Sequence, residues 1–165
     1  MNPDTDLVLE RTLNAPVDRV WRAWTVPEQL KQWFCPRPWR TTEAVIELWP
    51  GGKFLTRMEG PDGGASGGEG CILEVVPNER LTWTGALLAG FRPPAKPDID
   101  CGEGTPADMV FTATISMSDA GNGRTNYRAH VMHAHQAGRR AHEAMGFHDG
   151  WGAAAAQLEE VAAAG

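Results

Sequence analysis

The sequence predicts an α+β fold in which a curved antiparallel sheet packs its concave face on one long C-terminal helix. Three observations lead there. A short alternating segment is followed by two stretches of helical spacing. From Trp39 to His133 the apolar period then changes to two, with turn signals at Pro50-Gly51-Gly52, Pro77-Asn78-Glu79 and Asn122-Gly123. Beyond that point Trp151, Ala155, Leu158 and Ala162 fall at i, i+4, i+7 and i+11, which gives a last helix one apolar stripe. Each element has one face to bury, and a sheet laid on a helix buries both faces at once.

Leu7 to Leu13 alternates and is rich in branched and apolar residues, so it reads as a first strand closed by Asn14-Ala15-Pro16. Val17, Val20, Trp21 and Trp24 share one helical face, and Pro16 suits a first turn. Thr25-Val26-Pro27-Glu28 has the form of a capping box, which predicts a second short helix carrying Leu30, Trp33 and Phe34 and ended by Cys35-Pro36-Arg37-Pro38. Six further strands are expected near Thr42 to Leu48, Lys53 to Glu59, Gly70 to Val76, Leu81 to Leu87, Asp108 to Met117 and Arg124 to Met132. The glycine-rich GPDGGASGGEG lies between two of them. It lacks the following helix and the Lys-Ser/Thr of a phosphate cradle, so it is expected to be a mobile hairpin loop.

Composition narrows the function. A chain of 165 residues with 42% hydrophobic content suits a single domain over residues 1–165, with a core large enough to enclose a cavity. A formal net charge of -6 with scattered Lys and Arg argues against nucleic acid as a partner. No stretch has the length and apolarity of a membrane span, and the start MNPDTDLVLERTL has no signal-peptide pattern, so a cytoplasmic protein without membrane insertion is expected. Three widely spaced cysteines, Cys35, Cys71 and Cys101, form no CxxC pair and are expected to be reduced thiols.

LERTLNAPVDRVWRAWTVPEQLKQWF, ELWPGGKF, GPDGG, VPNERLTWT and GFHDGW, in that order and across nearly the whole chain, resemble bacterial proteins related to the C-terminal domain of the activator of Hsp90 ATPase. These belong to the START/Bet v 1-like, or SRPBCC, superfamily. The resemblance implies a helix-grip fold: a seven-stranded antiparallel sheet curved around a long C-terminal helix, with two short helices after the first strand and a hydrophobic pocket between sheet and helix. Relatives bind lipids, sterols or polyketides, and some are cyclases or aromatases. The family usually carries an arginine where this chain has Trp49, and the eukaryotic activator engages its chaperone through a separate N-terminal domain for which 165 residues leave no room. A chaperone partner is therefore not expected.

Within that frame the candidate ligand-binding residues are Trp83, Phe111, Tyr127, Trp151, Met58, Phe91 and His130. The aromatics fall on elements expected to border the pocket, and Met58, with Met109, Met132 and Met145, offers an adaptable wall. The Pro- and Gly-rich segment from Ala89 to Ala107 is long for a hairpin connection and is expected to act as a lid with Phe91 and Ile99 as plugs. All five histidines lie between His130 and His148. His142-Glu143-Ala144-Met145-Gly146 departs from HExxH at its fifth position, so no metal is expected, and no motif calls for a cofactor. His142 and His148 are expected to satisfy backbone groups where the chain bends at Gly146. His130 is the histidine expected in the pocket, where it could orient a polar ligand atom. Glu43 and Glu47, with Glu10, Glu59 and Glu74, are assigned to the wet face of the sheet.

The function expected is binding of a small hydrophobic or aromatic ligand. The alternatives are an enzyme of the cyclase, dehydratase or hydrolase kind using the same pocket, with His130 and a carboxylate moving the proton, and a protein-binding module related to chaperone activation. A homodimer stays open beside the monomer.

Overall fold

A computed structural model describes residues 1–95 and 110–165. The elements are β1 (Asp6–Leu13), α1 (Val17–Thr25), α2 (Pro27–Leu30), β2 (Arg40–Ile46), β3 (Lys53–Glu59), β4 (Ala65–Val76), β5 (Arg80–Thr84), a 3-10 turn (Ala89–Phe91), β6 (Phe111–Gly121), β7 (Arg124–His133), α3 (Gln136–Ala144) and α4 (Phe147–Ala164). All seven strands pair antiparallel in the order β1-β7-β6-β5-β4-β3-β2. The helices cover one face, as the predicted α+β helix-grip architecture requires.

Strand alternation decides which residues meet the helices. Leu7, Leu9 and Leu13 of β1, Leu81 and Trp83 of β5, Ala113, Ile115 and Met117 of β6, and Tyr127, Ala129 and Val131 of β7 point inward and are buried. They meet Val20, Trp21 and Trp24 of α1 and Ala155, Leu158 and Ala162 of α4, so both predicted helical stripes face the core. The centre of the layer is aromatic. Trp24 lies 4.7 Å from Trp33, 5.3 Å from Trp83 and 5.9 Å from Phe34, and Phe54 lies 4.8 Å from Trp83, between ring centroids. Truncating any of these rings would leave a void costing about 3–5 kcal/mol.

Several expectations change. Thr25 does not cap α2: its hydroxyl donates to the Trp21 carbonyl and closes α1, while α2 starts on Val26 with Pro27 in its first turn and no side-chain cap. The glycine-rich stretch is not a loop throughout. Only Pro61 to Gly64 turns, and Ala65 to Glu69 is already strand, paired with Leu55 to Glu59. Glycine is what allows this pairing, because a Cβ on Gly67 would sit 2.3 Å from the Thr56 carbonyl oxygen and φ there is +101°. β5 stops at Thr84 rather than Leu87, and β6 runs on to Gly121. There Asn122 and Gly123, both at positive φ, make the hairpin turn. The joint before the last helix contains a helix of its own, α3, and Gly146 at φ +93° redirects the chain from α3 into α4.

Candidate functional site

The inward row of β7 runs Thr125, Tyr127, Ala129, Val131 and His133, so an apolar row ends in an imidazole at the edge of the core. The chain then reverses into α3, whose two buried residues, Gly138 and His142, are spaced i, i+4. That narrow stripe lets α3 lie close on β7 and puts His142 over His133. Arg139 and Glu143, one residue further round the helix, pair with each other at 2.8 Å.

The two histidines share a hydrogen bond, with His133 Nε2 2.9 Å from His142 Nδ1. The direction of that bond is fixed from outside the pair. His133 Nδ1 lies 2.9 Å from the Thr5 carbonyl oxygen, which can only accept, so Nδ1 of His133 carries the hydrogen. Nε2 of a neutral His133 is then an acceptor, His142 Nδ1–H donates to it, and Nε2 of a neutral His142 is left as a bare lone pair. Burial, reinforced by the neighbouring His133, pushes His142 down to about 4, so it is neutral at physiological pH. His142 is 8% exposed, and no group among the described residues bonds its Nε2. That nitrogen is not sealed: the Trp24 indole Nε1 is the one fully enclosed side-chain polar atom without a partner among the described residues.

Aromatic rings surround His142. Phe111 stacks on it at 5.1 Å and 24°, Phe147 stands edge-on at 5.2 Å, and Trp151 lies 6.2 Å away. Phe111 and Trp151 are 6.1 Å apart and both only half-buried. This is the end of the sheet–helix layer from which the chain leaves β5 and re-enters β6.

The sequence-predicted residues divide accordingly. Phe111 and Trp151 come together, both beside His142. Trp83 and Tyr127 are sealed in the core, where burial raises the Tyr127 phenol far above its usual value despite the Trp24 side chain beside it. Met58 lies half-buried on the inner face of β3, toward its far end. Phe91 is 51% exposed, its ring resting on Gly51, and most of the segment expected as a lid, Ile99 included, lies outside the described residues, as does Met109. His130 does not reach the sheet–helix layer. Alternation turns it with Arg128 to the outer face, where its Nε2 is 2.8 Å from Asp6 Oδ2. Sequence reasoning missed the His133–His142 bond. The available signal was the inward apolar row of β7 ending in a histidine.

No group of three or more His, Cys, Asp or Glu among the described residues could hold a metal ion. Cys35 is pushed up by burial, against a weak Thr41 contact, and Cys71 is buried. Three of the carboxylates assigned to the wet face stand in ion pairs: Glu10 with Arg128, Glu59 with Arg57 and Arg40, and Glu74 with Arg80. Two depressions, of about 640 and 410 Å³, open on the outer face of the sheet, one beside Glu10, Ser116 and Arg128, the other beside Glu43, Leu55 and Arg57. No helix among the described residues is long and apolar enough to cross a membrane.

Comparison with known proteins agrees with this architecture. A crystal structure from Nitrosomonas europaea has 41% sequence identity, covers 98% of this chain and 96% of its own, and superposes with a TM-score of 0.87. Structures from Rhodobacter sphaeroides and Arthrobacter aurescens, each 23% identical with TM-scores of 0.78, share the fold; they cover 99% and 98% of this chain and 96% and 88% of their own. No curated protein matches the chain. The family model described as activator of Hsp90 ATPase homolog 1-like protein matches residues 14–163, nearly the whole length over which the sheet closes on its helices, and the chain belongs to that family.

Proposed function

We propose that this protein binds a small hydrophobic or aromatic molecule at the open end of its sheet–helix layer, in contact with Phe111, Trp151 and His142. One observation carries the reading: a buried imidazole with one ring nitrogen that has no partner among the described residues, walled by three aromatic rings of which two are half-exposed. Polar groups buried in a protein are ordinarily hydrogen-bonded, so one that no described residue satisfies, accessible among apolar rings, is suited to receive a partner. The centre of the layer is filled by Trp24, Trp33, Trp83 and Phe54, so a ligand would enter by parting Phe111 and Trp151 rather than by occupying the middle of the core.

The same geometry favours recognition over catalysis. A histidine whose conjugate acid is stable only below about 4 is a weak base at neutral pH, suited to accepting a hydrogen bond rather than removing a proton. His130, the residue expected to supply proton transfer, faces the other side of the sheet.

Native mass spectrometry of freshly purified protein, with and without added naphthalene, tests the reading. The expected result is a bound organic mass, either carried through purification or gained from naphthalene, that is lost in Trp151→Ala and Phe111→Ala while Phe91→Ala keeps it. A folded protein that carries no organic mass and takes up no naphthalene would overturn the proposal.

A further inference from the structure

Resting on the binding site proposed above, we infer that its ligand is a hydrogen-bond donor, a phenol or similar hydroxylated aromatic, which donates to Nε2 of His142. A carboxylate or an aromatic ketone, which can only accept, is the wrong class.

The polarity follows from proton bookkeeping along a chain of three groups. The Thr5 carbonyl has no hydrogen to give, so it holds one on His133 Nδ1. A single proton occupies the bond between His133 Nε2 and His142 Nδ1. With both rings neutral those two protons are the whole supply, and His142 Nε2 has none. The backbone therefore sets what the site can recognise, through two imidazoles. A ligand hydroxyl supplies the missing hydrogen. A ligand oxygen that only accepts would face a lone pair and lose its own hydration without replacement.

The surroundings keep His142 neutral. Phe111, Phe147 and Trp151 shield most of the His142 ring from solvent, and His133 opposes a second charge beside it. Glu143, the nearby carboxylate on α3, is engaged by Arg139 at 2.8 Å and by His148 of α4 at 3.6 Å. Adding one proton to the pair would reverse the site. With His133 Nδ1 and the shared position already filled, the extra proton must reside on His142 Nε2, which then becomes a donor. The preference for a hydroxylated ligand thus belongs to the neutral pair.

Titration calorimetry at neutral pH with 2-naphthol, 2-methoxynaphthalene and 2-naphthoate tests this on wild-type protein and on His142→Phe. The expected result is 2-naphthol bound at least about fivefold more tightly than its methyl ether, the value of one good hydrogen bond, with 2-naphthoate weakest. In His142→Phe the naphthol and the ether should bind alike. Equal binding of naphthol and ether by the wild type, or tightest binding of naphthoate, would overturn the inference and leave the binding site standing. Failure of all three probes to bind would remove the binding site, and the inference with it. Nitrogen-15 spectra of the wild-type histidines need no variant: His142 Nε2 should be unprotonated and should shift when 2-naphthol is added, and a protonated Nε2 at neutral pH would overturn the assignment.

Discussion

His133 and His142 meet edge to face, their ring centroids 5.2 Å apart and their planes at 78°, with the 2.9 Å bond between them lying in a largely apolar setting. Because His142 stays neutral in the fold down to about 4, whereas an unfolded histidine takes up its proton near 6.5, the unfolded chain binds more protons throughout that interval. Stability is fully supported above about 6.5 and is lost as the pH falls toward 4, with a slope approaching roughly 1.4 kcal/mol per pH unit. His142→Phe should cost about 1–3 kcal/mol at neutral pH, since it leaves His133 Nε2 unpaired. Denaturant titrations from neutral pH to pH 5 should show the gap between variant and wild type narrowing. Parallel curves would mean that His142 is not held neutral.

Asp6 and His130 form a second coupled pair, on the outer face. Burial alone would raise the Asp6 carboxyl, but the Asn2 backbone N–H, the His130 ring and the Thr5 hydroxyl outweigh it and hold the acid below its usual value. A depressed carboxylate contributes stability at pH values above its unfolded pKa and loses it as the pH falls through the folded one. Asp6→Asn should therefore be destabilising by about 1–2 kcal/mol at neutral pH, with the difference shrinking below about pH 4. Unfolding midpoints collected across that range check the sign.

Gln157 should matter more than the ion pair beside it. Its Nε2 donates to the carbonyls of Trp33 and Cys35, and its Oε1 accepts the Arg37 N–H, so one buried side chain fastens the segment after α2 to α4. Gln157→Ala leaves three backbone groups short of partners and should cost about 2–3 kcal/mol. Glu160→Ala breaks the solvent-exposed pair with Arg37 and should cost less than about 0.5 kcal/mol. Thermal unfolding of the two variants gives the comparison directly.

The glycines of β4 offer a matched pair. Gly67→Ala drives a Cβ into the Thr56 carbonyl at a backbone angle that L-residues avoid, and should destabilise by about 1–3 kcal/mol. A Cβ on Gly68 meets nothing within 4 Å, so Gly68→Ala should stay within about 0.5 kcal/mol of wild type. Equal effects at the two positions would show that β4 does not pair with β3 as far as Ala65.

What could be read from the sequence was local. Alternation along β7 and the stripe of Ala155, Leu158 and Ala162 announce their elements because each pattern lies within one segment. The glycine-rich run misled because glycine marks both mobile loops and strands passing close to another backbone, and only the partner strand distinguishes them. The expectation for His130 depends on its strand face being the covered one, and alternation gives two faces without saying which is covered. The His133–His142 bond was invisible for a related reason: it joins the end of a strand to the second turn of a helix, across a reversal that no periodicity spans. Its trace is the small stripe of Gly138 and His142 on an otherwise polar helix.

The sheet order has a consequence for synthesis. β1 and β2 are consecutive in the chain yet form the two outer edges, so neither can zip to the other. β1 finds its partner only in β7, where Leu13 lies opposite Thr125 and Asp6 opposite Met132. On the ribosome the first strand, with Leu7, Leu9 and Leu13, must wait for nearly the whole polypeptide before its ladder can form. Closure of this sheet is thus a late and strongly non-local event, slow by the standards of hairpin pairing. Throughout that interval the unpaired leucines are exposed to whatever else in the cell binds nascent apolar strands.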